Sequence, residues 1–593
     1  MRYADLVVDW LEELGYTHCF FVAGGNTMHL LDAARNRMHC VPTVHEVATG
    51  IATEYFNESG GEGRAFALVT AGPGLTNLVS ALAGAWLESR DLLVLGGQVK
   101  STDLATGGLR QRGIQEVNGV AIASPVCKEA VRVEQPMRRS RFDALVRAGT
   151  TARKGPVFLE FCLDVQNAPV EREDLEDAPG VAPQPSPPAL SDADRAELLA
   201  EVEAAQRPVW LIGGGVSRAA ARELLPAIRR SGVPVMTTWN GTDRVPADEP
   251  LYAGRPNTWG QRSANVILQS ADLVVALGTR LGLQQTGFNW QEFAPLARVV
   301  QVDLDEAELR KGHPHVELAM QADADDVLRA LVEAEHGDLD DWLTFCRRAG
   351  ELLPLDDPGN ETALGYLSPH AFVDALSDVL EPSDVIVPCS SGGAFTVTMQ
   401  ALRQREGQIV VTDKGLASMG YGLAGAIGAA VAHPDRRVVL IEGDGGFAQN
   451  LQEVGTVALR GLNVKILLFE NDGYASIRMT QRNYFGGEYV GCDAASGLGL
   501  PNWERLFAAF GVPVTAVGEG FGDARDFRSL WDAPGPAAFI VPIDPEQTYL
   551  PKISSRMTAS GGMESNPLHA MSPELEGPVA DEVLAFLQAE RTP

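Results

Sequence analysis

The chain has 593 residues, of which 45% are hydrophobic and 21% charged, with a formal net charge of −30 at pH 7. This length is too great for one hydrophobic core and indicates about three or four domains. The acidic balance argues against a nucleic-acid partner. No window of about 18 consecutive apolar residues and no signal-type segment occur, so we expect a cytoplasmic protein without a membrane partner.

A glutamate and a glycine-containing turn are the first features in the chain that suggest chemistry. Glu46 follows a short apolar run, and Thr70-Ala71-Gly72-Pro73-Gly74-Leu75-Thr76-Asn77 follows a predicted strand at residues 66–69. A carboxyl group held away from bulk water can share a proton with a weakly basic ring nitrogen. A lone glutamate beside a histidine is more often a solvated surface pair, so the role of Glu46 depends on what the rest of the chain carries.

The middle of the chain is bounded by two polar stretches that predict linkers. Residues 165–191 are rich in proline and acid, and we expect an extended connector there. Residues 335–367, which include Asp356-Asp357-Pro358-Gly359-Asn360, form the second linker. Between them, apolar runs at 209–212, 233–236, 273–277 and 299–302 predict strands that alternate with helices.

The most informative stretch is Gly443-Asp444-Gly445-Gly446-Phe447, which follows a predicted buried strand at residues 437–441. A helical segment at about 451–459 and a second buried strand at 464–469 lead to Asn471. Such a βαβ unit brings both polar side chains to the carboxyl ends of neighbouring strands, where ligands bind. Carboxylate and amide oxygens suit Mg²⁺, and the glycines let backbone N–H groups approach a diphosphate.

This arrangement resembles the cofactor motif of thiamine diphosphate (ThDP) enzymes, and the longer match from Gly443 to Thr456 resembles the acetolactate synthase branch. The resemblance implies that Mg²⁺ is bound by Asp444, Asn471 and the backbone carbonyl of Gly473. It also implies that Glu46 bonds N1′ of the aminopyrimidine ring. The expected cofactor-binding residues are Gly24, Asn26, Thr70, Gly72, Pro73, Asn77, Ser391, Gly392, Ala417, Met419, Gly443, Asp444, Gly445, Gly446, Asn471, Gly473, Tyr474 and Ala475.

A third motif, Lys414-Gly415-Leu416-Ala417-Ser418-Met419-Gly420, resembles a turn of the same family. In that family a backbone carbonyl accepts from the 4′-amino group, and a large apolar side chain forces the cofactor into a bent shape. Ala417 and Met419 match those two positions. A methionine in an apolar turn is otherwise usually core filling.

The resemblance implies an α/β fold of three doubly wound parallel-sheet domains. We expect an aminopyrimidine-binding domain at residues 1–165, a central domain at 190–335, a diphosphate-binding domain at 365–550 and a C-terminal tail at 551–593. It also implies a homodimer or homotetramer with the cofactor at the subunit interface.

The central domain raises the question of a flavin. In acetolactate synthases, segments that match Gly213-Gly214-Gly215, Gly278-Thr279-Arg280 and Val302-Asp303-Leu304-Asp305 hold FAD without redox work. The implied FAD contacts are Gly213, Gly214, Gly215, Arg218, Arg280 and Asp303. An empty domain or bound ADP stays open as the alternative.

Departures from the family pattern concern the substrate. Gln284 replaces an arginine that helps receive the 2-keto-acid acceptor, and losing a guanidinium loses bidentate pairing with a carboxylate. Ile114 replaces a substrate-facing phenylalanine, and Lys128 matches a family lysine. Gln115 remains a hydrogen-bond donor to the reacting group, and we expect it to be catalytic together with Glu46.

The tail resembles the C-terminus of ThDP enzymes found with sugar-modifying pathways, and Ser560-Gly561-Gly562 could order as a lid. We therefore expect decarboxylation of a 2-keto acid, with pyruvate as donor, and ligation to a second carbonyl group on a ketone, diketone or ketosugar. The alternatives are acetolactate synthase proper and a simple 2-keto-acid decarboxylase.

Overall fold

The computed structural model describes residues 1–177, 187–557 and 563–589, and its core is three parallel β-sheets of six, five and six strands. The α/β fold with three parallel sheets is as the sequence predicts. Many strands are buried along their whole length, including Leu92–Gln98 and Leu273–Leu277. Parallel strands covered on both faces are expected to be continuously hydrophobic, as Leu273–Leu277 is.

The first sheet has the strand order β2-β1-β3-β4-β6-β5. Its strands are β1 (Tyr16–Phe21), β2 (His39–Pro42), β3 (Arg64–Val69), β4 (Leu92–Gln98), β5 (Glu129–Val133) and β6 (Pro156–Cys162). The accompanying helices are α1 (Tyr3–Glu13), α2 (Met28–Ala34), α3 (Glu46–Ser59), α4 (Pro73–Leu87), α5 (Gly119–Ala123), α6 (Arg139–Ala148), α7 (Leu163–Gln166) and α8 (Arg172–Leu175).

The second sheet has the order β11-β10-β9-β7-β8. Its strands are β7 (Pro208–Ile212), β8 (Val235–Thr237), β9 (Leu273–Leu277), β10 (Arg298–Asp303) and β11 (Leu318–Gln321). Its helices are α9 (Asp192–Ala204), α10 (Arg218–Ser231), α11 (Arg262–Ser270), α12 (Leu283–Thr286), α13 (Glu306–Leu309), α14 (Ala324–Leu331) and α15 (Asp340–Leu352).

The third sheet has the order β13-β12-β14-β15-β17-β16, which repeats the connectivity of the first. Its strands are β12 (Val385–Pro388), β13 (Ile409–Val410), β14 (Val438–Gly443), β15 (Val464–Glu470), β16 (Val514–Ala516) and β17 (Ala537–Pro542). Its helices are α16 (Pro369–Val379), α17 (Gly392–Ala401), α18 (Tyr421–Ala432), α19 (Asp444–Phe447), α20 (Val454–Arg460), α21 (Ala475–Phe485), α22 (Trp503–Ala509) and α23 (Arg525–Trp531). The chain then forms a short antiparallel pair, β18 (Ser555–Met557) with β19 (Met563–Ser565), and helices α24 (Gly577–Val583) and α25 (Ala585–Ala589).

The chain divides into two compact units. The first contains Met1–Ser186, Ser383–Gly392 and Val411–Pro542, and the second contains Pro187–Pro382, Gly393–Val410 and Ile543–Pro593. In the first unit α3 and α18 pack closely, because a Cβ atom on Gly428 would lie 2.1 Å from the carbonyl oxygen of Ala52. In the second unit the described end of the tail packs on α15, with the rings of Trp342 and Phe586 6.1 Å apart.

Two predicted linkers need correction. The stretch 335–367 contains the 13-residue helix α15, because Trp342, Phe345, Cys346 and Ala349 recur at helical spacing and pack into an apolar cluster. The stretch 165–191 contains the short helix α8, so its described part is not simply extended. Its residues 178–186 and the predicted lid residues Ser560, Gly561 and Gly562 lie outside the described residues. Within the described ranges, no helix combines the length and the hydropathy needed to cross a bilayer.

Candidate active site

The topology of the sheets positions the predicted ligand loops. In each sheet the strand order reverses between two neighbours, namely β1 and β3, β7 and β9, and β12 and β14. Ligands of open α/β sheets bind at such switch points, outside the carboxyl ends of the strands. The loops that leave these strands are the ones that carry the predicted residues Gly24, Thr70, Gly213, Gly278, Gly392 and Gly443.

At the switch point of the first sheet the chain brings Gly24, Asn26 and Thr70 together. A Cβ atom on Gly24 would lie 2.3 Å from Cβ of Thr70, so no larger residue fits there. The backbone N–H of Asn26 donates to the Thr70 hydroxyl at 3.3 Å. Pro73 occupies the first turn of α4, where its missing N–H costs nothing.

Glu46 is the first residue of α3, and its side chain is buried, with 8% exposure. The Asn77 amide donates to Glu46 Oε2 at 2.9 Å and so fixes the carboxyl group. Both residues were predicted to bind the cofactor. Asn77 thus bonds one of the two carboxyl oxygens of Glu46, and the bond from Glu46 to the cofactor stays a prediction.

The peptide before Glu46 is held by Glu453, a residue whose role the sequence did not reveal. Glu453 Oε1 accepts the N–H groups of Val44 and His45, both at 3.0 Å, and the Thr456 hydroxyl donates to Oε2 at 2.7 Å. Burial raises the pKa of Glu453 above its usual range, although these donors oppose the shift. Glu453 therefore joins the segment that follows Asp444 to the start of the helix that carries Glu46.

The loop that carries Gln115 rests on the Gly72-Pro73 turn. Gln115 has a left-handed φ of 64°, and a Cβ atom on Gly72 would lie 2.3 Å from its carbonyl oxygen. Glu116 secures the loop by accepting the backbone N–H groups of Ala105, Arg112 and Gly113 at 2.5, 2.8 and 2.9 Å. Although burial alone would raise it, these donors hold the pKa of Glu116 below its usual range.

Ile114 and Lys128, two of the predicted substrate residues, lie in different settings. Ile114 is 86% exposed at the tip of the Gln115 loop. The Lys128 ammonium donates to the carbonyl oxygens of Thr151 and Arg153, at 2.9 and 2.7 Å, and so holds a neighbouring loop. Contact of Lys128 with a substrate stays a prediction.

In the second unit, the Gln284 carbonyl oxygen accepts the Thr258 N–H at 3.0 Å, and Gln284 is half-buried.

In the third sheet, Asp444 is buried where β14 ends, with 1% exposure. Its carboxylate accepts the backbone N–H groups of Gly445 at 2.7 Å and of Asn471 and Gly473 at 3.1 and 3.2 Å. Burial raises the pKa of Asp444 to about 7 despite these donors. A buried carboxylate of this kind needs a cation to remain charged.

The oxygen atoms around Asp444 suit Mg²⁺. One polar atom of the Asn471 side-chain amide lies 3.1 Å from Asp444 Oδ1 and 3.0 Å from the Gly473 carbonyl oxygen; the amide nitrogen would donate to both there, and the amide oxygen would face them across a cation. Octahedral Mg²⁺ with oxygen ligands at about 2.1 Å keeps adjacent ligands about 3.0 Å apart. With its amide oxygen turned toward them, Asn471 would complete a set of three oxygens at the spacing that a bound magnesium ion requires. Gly473, with φ of 111°, is required because a Cβ atom there would lie 2.5 Å from the Cys492 carbonyl oxygen.

Most of the other residues predicted to bind the diphosphate side flank Asp444 and Gly473 in the chain. A Cβ atom on Gly445 would lie 2.5 Å from the ring of Tyr474, whose N–H donates to the Cys492 carbonyl oxygen at 2.8 Å. Gly443 is the N-cap of α19, and Ala475 begins α21. The carbonyl oxygen of Ser391 accepts from the Cys389 thiol at 3.3 Å. Gly392 has a φ of 82° and faces open space. A Cβ atom on Gly446 would have Glu442 as its nearest neighbour.

The turn that carries Ala417 and Met419 lies beside the segment after Asp444. Met419 is 37% exposed, which is unusual for a residue that merely fills a core, and its sulfur lies 3.7 Å from the Gln449 amide nitrogen. Ala417 has a left-handed φ of 55°. Contact of Ala417 and Met419 with a cofactor stays a prediction.

In the central sheet the predicted FAD residues also share one edge, but several already bond within the protein. The N–H groups of Gly213 and Gly215 donate to the carbonyl oxygens of Leu277 and Gly278, at 2.8 and 2.9 Å. The Arg218 guanidinium donates to Asp243 at 2.6 Å. Asp303 accepts the Asp305 N–H at 2.9 Å, and the carbonyl oxygen of Arg280 accepts from the Lys311 ammonium. The Gly214 carbonyl oxygen accepts weakly from Arg244 at 3.4 Å.

Comparison with protein-family models agrees with the three sheets. The thiamine pyrophosphate enzyme N-terminal TPP binding domain matches residues 1–122, the central domain matches 195–331 and the C-terminal TPP binding domain matches 391–538. Fold and matches together define a ThDP-dependent enzyme.

Similar proteins narrow the class further. The chain is 31% identical over 556 residues to acetolactate synthase isozyme 1 large subunit of Escherichia coli (strain K12), covering 93% of this chain and 95% of that protein. It is 29% identical over 603 residues to the probable acetolactate synthase large subunit of Methanocaldococcus jannaschii, covering 98% of each. A chloroplastic acetolactate synthase of Arabidopsis thaliana is 28% identical over 570 residues, covering 93% of this chain and 83% of that protein. The chain belongs to the acetolactate synthase family.

Proposed function

We propose that this enzyme decarboxylates pyruvate with ThDP and Mg²⁺ and joins the resulting two-carbon unit to the carbonyl group of a second substrate. Membership of the family identifies the protein as a ThDP-dependent enzyme of 2-keto-acid decarboxylation and carboligation. The identity of the donor, the identity of the acceptor and the roles of the residues are what we propose. The observation that carries it is the meeting of Asp444, Asn471 and Gly473 at the carboxyl ends of β14 and β15, where the buried Asp444 carboxylate accepts the N–H groups of the other two residues.

The proposed role of this chain's residues is to hold and orient the cofactor and the substrate. When bound, ThDP supplies a nucleophilic carbon that adds to the 2-keto acid and an electron sink for the pair released with CO₂. Glu46, fixed by Asn77, would share its proton with N1′ of the aminopyrimidine ring. Gln115 would donate a hydrogen bond to the carbonyl oxygen of the reacting substrate. Asp444, Asn471 and the carbonyl of Gly473 would hold Mg²⁺ against the diphosphate.

Two classes of acceptor have separate support. The relatives are named acetolactate synthases, which favours a second 2-keto acid as acceptor. Gln284 in place of the family arginine favours a neutral acceptor, such as a ketone, diketone or ketosugar, because an amide pairs poorly with a carboxylate. The family relatives support the first candidate more strongly, and the second rests on that one residue and on the tail.

The experiment that tests this function is product analysis with a matched pair of variants. Purified enzyme with ThDP and Mg²⁺ is given pyruvate alone, then pyruvate with neutral ketones. Acetolactate formation supports the keto-acid acceptor, tertiary alcohols support the neutral acceptor, and free acetaldehyde alone supports a simple decarboxylase. Glu46→Gln is expected to stop pyruvate consumption while ThDP stays bound, whereas the exposed control Glu62→Gln is expected to behave like the wild type. Full activity of Glu46→Gln would refute the assignment.

The flavin and the subunit arrangement are further parts of the proposal. We propose that FAD binds at the β7, β9 and β10 loops, with an empty domain or ADP as the alternatives. A flavin absorption band in the purified protein, and its loss after Asp303→Ala, would support this site. We also propose that the cofactor lies between Glu46 of one subunit and Asp444 of another.

A further inference from the structure

The turn from Asp413 to Gly420 is fixed by side chains from several elements of the first unit. Its backbone groups at Thr412, Lys414, Ser418 and Gly420 bond to the side chains of Arg90, Glu88, Ser390 and Asn450, respectively. The turn is therefore a preorganised part of the fold. Within the turn, the Asp413 carboxylate bonds the backbone of Ala417, and the Ser418 hydroxyl donates to the Met419 carbonyl oxygen.

Asp413 is fully buried, and its Oδ1 accepts the backbone N–H of Ala417 at 3.1 Å. Ala417 has a left-handed φ of 55°, a conformation that residues with a side chain disfavour. An alanine stays in such a conformation when its surroundings impose it. The Asp413 carboxylate supplies that restraint, since it is the side chain that bonds the Ala417 N–H.

The position of Asp413 is fixed by its neighbours. A Cβ atom on Gly84 would lie 2.7 Å from Asp413 Oδ2 and 1.8 Å from the Tyr421 hydroxyl, so α4 packs directly on the carboxylate. Arg90, which is also buried, donates to Glu54 at 2.8 Å and to the Thr412 carbonyl oxygen at 2.6 Å, one residue before Asp413. The packing around Asp413 fixes its carboxylate, and the carboxylate in turn fixes the backbone of the turn at Ala417.

We propose that Asp413 is a positioning residue that holds Ala417 in its left-handed conformation and so presents the Ala417 carbonyl and the Met419 side chain to the cofactor. The inference rests on the proposed function, in which this turn meets the aminopyrimidine half of ThDP. Asp413 acts through the backbone of Ala417 and does not touch the cofactor. Loss of the Asp413 carboxylate should reduce the affinity for ThDP by more than it reduces the stability of the fold.

The test compares four variants of the full chain. Asp413→Ala removes the acceptor, Asp413→Asn keeps an oxygen for the Ala417 N–H, and Asp413→Ala with Ala417→Gly removes the acceptor but lets the turn adopt its φ without strain. Asp384→Ala is the matched control, because Asp384 is a buried carboxylate of the same unit, paired with Arg437 at 2.8 Å away from the turn. Calorimetric ThDP affinity with Mg²⁺ and thermal unfolding of the apoprotein are measured for each.

We expect Asp413→Ala to weaken ThDP binding by about tenfold to a hundredfold, the range of one charge-assisted hydrogen bond. Asp413→Asn and the double variant should recover most of the affinity, and Asp384→Ala should lower the unfolding temperature without changing affinity. ThDP affinity of Asp413→Ala within twofold of the wild type would overturn the inference. Equal losses in Asp413→Asn and Asp413→Ala would also overturn it, because the acceptor oxygen would then be irrelevant.

Failure of the wider proposal gives a different pattern. If the wild-type protein takes up no ThDP in the presence of Mg²⁺, the proposed function is wrong. If the wild type binds ThDP and the Asp413 variants bind it equally well, only the positioning role is wrong.

Discussion

Removing the Glu453 side chain is expected to loosen the start of α3 and to displace Glu46. In the native protein the carboxylate accepts N–H groups from Val44 and His45, both at 3.0 Å, and the Thr456 hydroxyl at 2.7 Å. His45 is the N-cap of α3, and Glu46 follows it directly. Glu453→Ala leaves both N–H groups without this acceptor.

The magnitude follows from these contacts. An unsatisfied buried donor costs about 1–3 kcal/mol, so two partly buried donors and a small cavity give a loss of about 2–5 kcal/mol in the free energy of unfolding. Glu453→Gln should lose about 1 kcal/mol or less, because its amide oxygen can accept both N–H groups and its nitrogen can donate to the Thr456 hydroxyl.

The pH dependence of stability separates the effect of the Glu453 charge from the effect of its shape. Burial raises the pKa of Glu453, so the stability that this group contributes is present below the usual glutamate pKa and is lost as pH rises through its higher value in the folded protein. Glu453→Gln lacks this titration. The variant should therefore gain stability relative to the wild type as pH rises above the usual glutamate range.

Urea unfolding at several pH values measures the stabilities, and single-turnover pyruvate consumption measures the placement of Glu46. Glu453→Ala should lower both, and Glu453→Gln should keep most of the activity. Normal activity of Glu453→Ala at a temperature where it is folded would refute the positioning of Glu46 by Glu453.

Three further predictions concern the interface, the acceptor and pH. If Glu46 and Asp444 act across subunits, mixing Glu46→Gln with Asp444→Asn subunits should restore about a quarter of the activity. Half of the randomly formed dimers are then mixed, and each mixed dimer has one intact site out of two. No recovery of activity would place the site within one chain. Gln284→Arg should raise the rate with a 2-keto-acid acceptor relative to a neutral ketone, and an unchanged product ratio would remove Gln284 from acceptor choice. Burial lowers the pKa of Lys465 to about 8. At pH values between this pKa and the usual lysine pKa, the folded protein therefore binds fewer protons than the unfolded chain. Wild-type stability should therefore rise with pH over this window relative to Lys465→Met in urea titrations, and parallel curves would contradict the shift.

Local patterns allowed much of the fold to be predicted, together with the meeting of Asp444 and Asn471 at one sheet edge. The strands before Asp444 and Asn471 are short, apolar and bounded by polar turns, so their order along the chain is enough to place both residues at one sheet edge. Asn77 and Glu46 belong to neighbouring motifs of one domain. Their contact at 2.9 Å is consistent with the shared site that was expected.

The parts that escaped prediction depend on contacts between distant residues. Glu453 and Val44 are 409 positions apart, and no local pattern shows that a glutamate will accept their N–H groups. Helix α15 was missed because acidic residues around it obscured the apolar spacing of Trp342, Phe345 and Ala349. The left-handed φ of Gln115 and Ala417 is imposed by packing, which composition does not encode.

The most direct test of the account is a calorimetric titration of ThDP into the wild-type protein and into Asp444→Asn, with and without Mg²⁺. The wild type should bind ThDP strongly only when Mg²⁺ is present, because in the proposed function Asp444, Asn471 and Gly473 hold the cation that anchors the diphosphate. Asp444→Asn should lose this magnesium-dependent binding. Equal, magnesium-independent binding by both proteins, or no binding by the wild type, would contradict the assignment of this site.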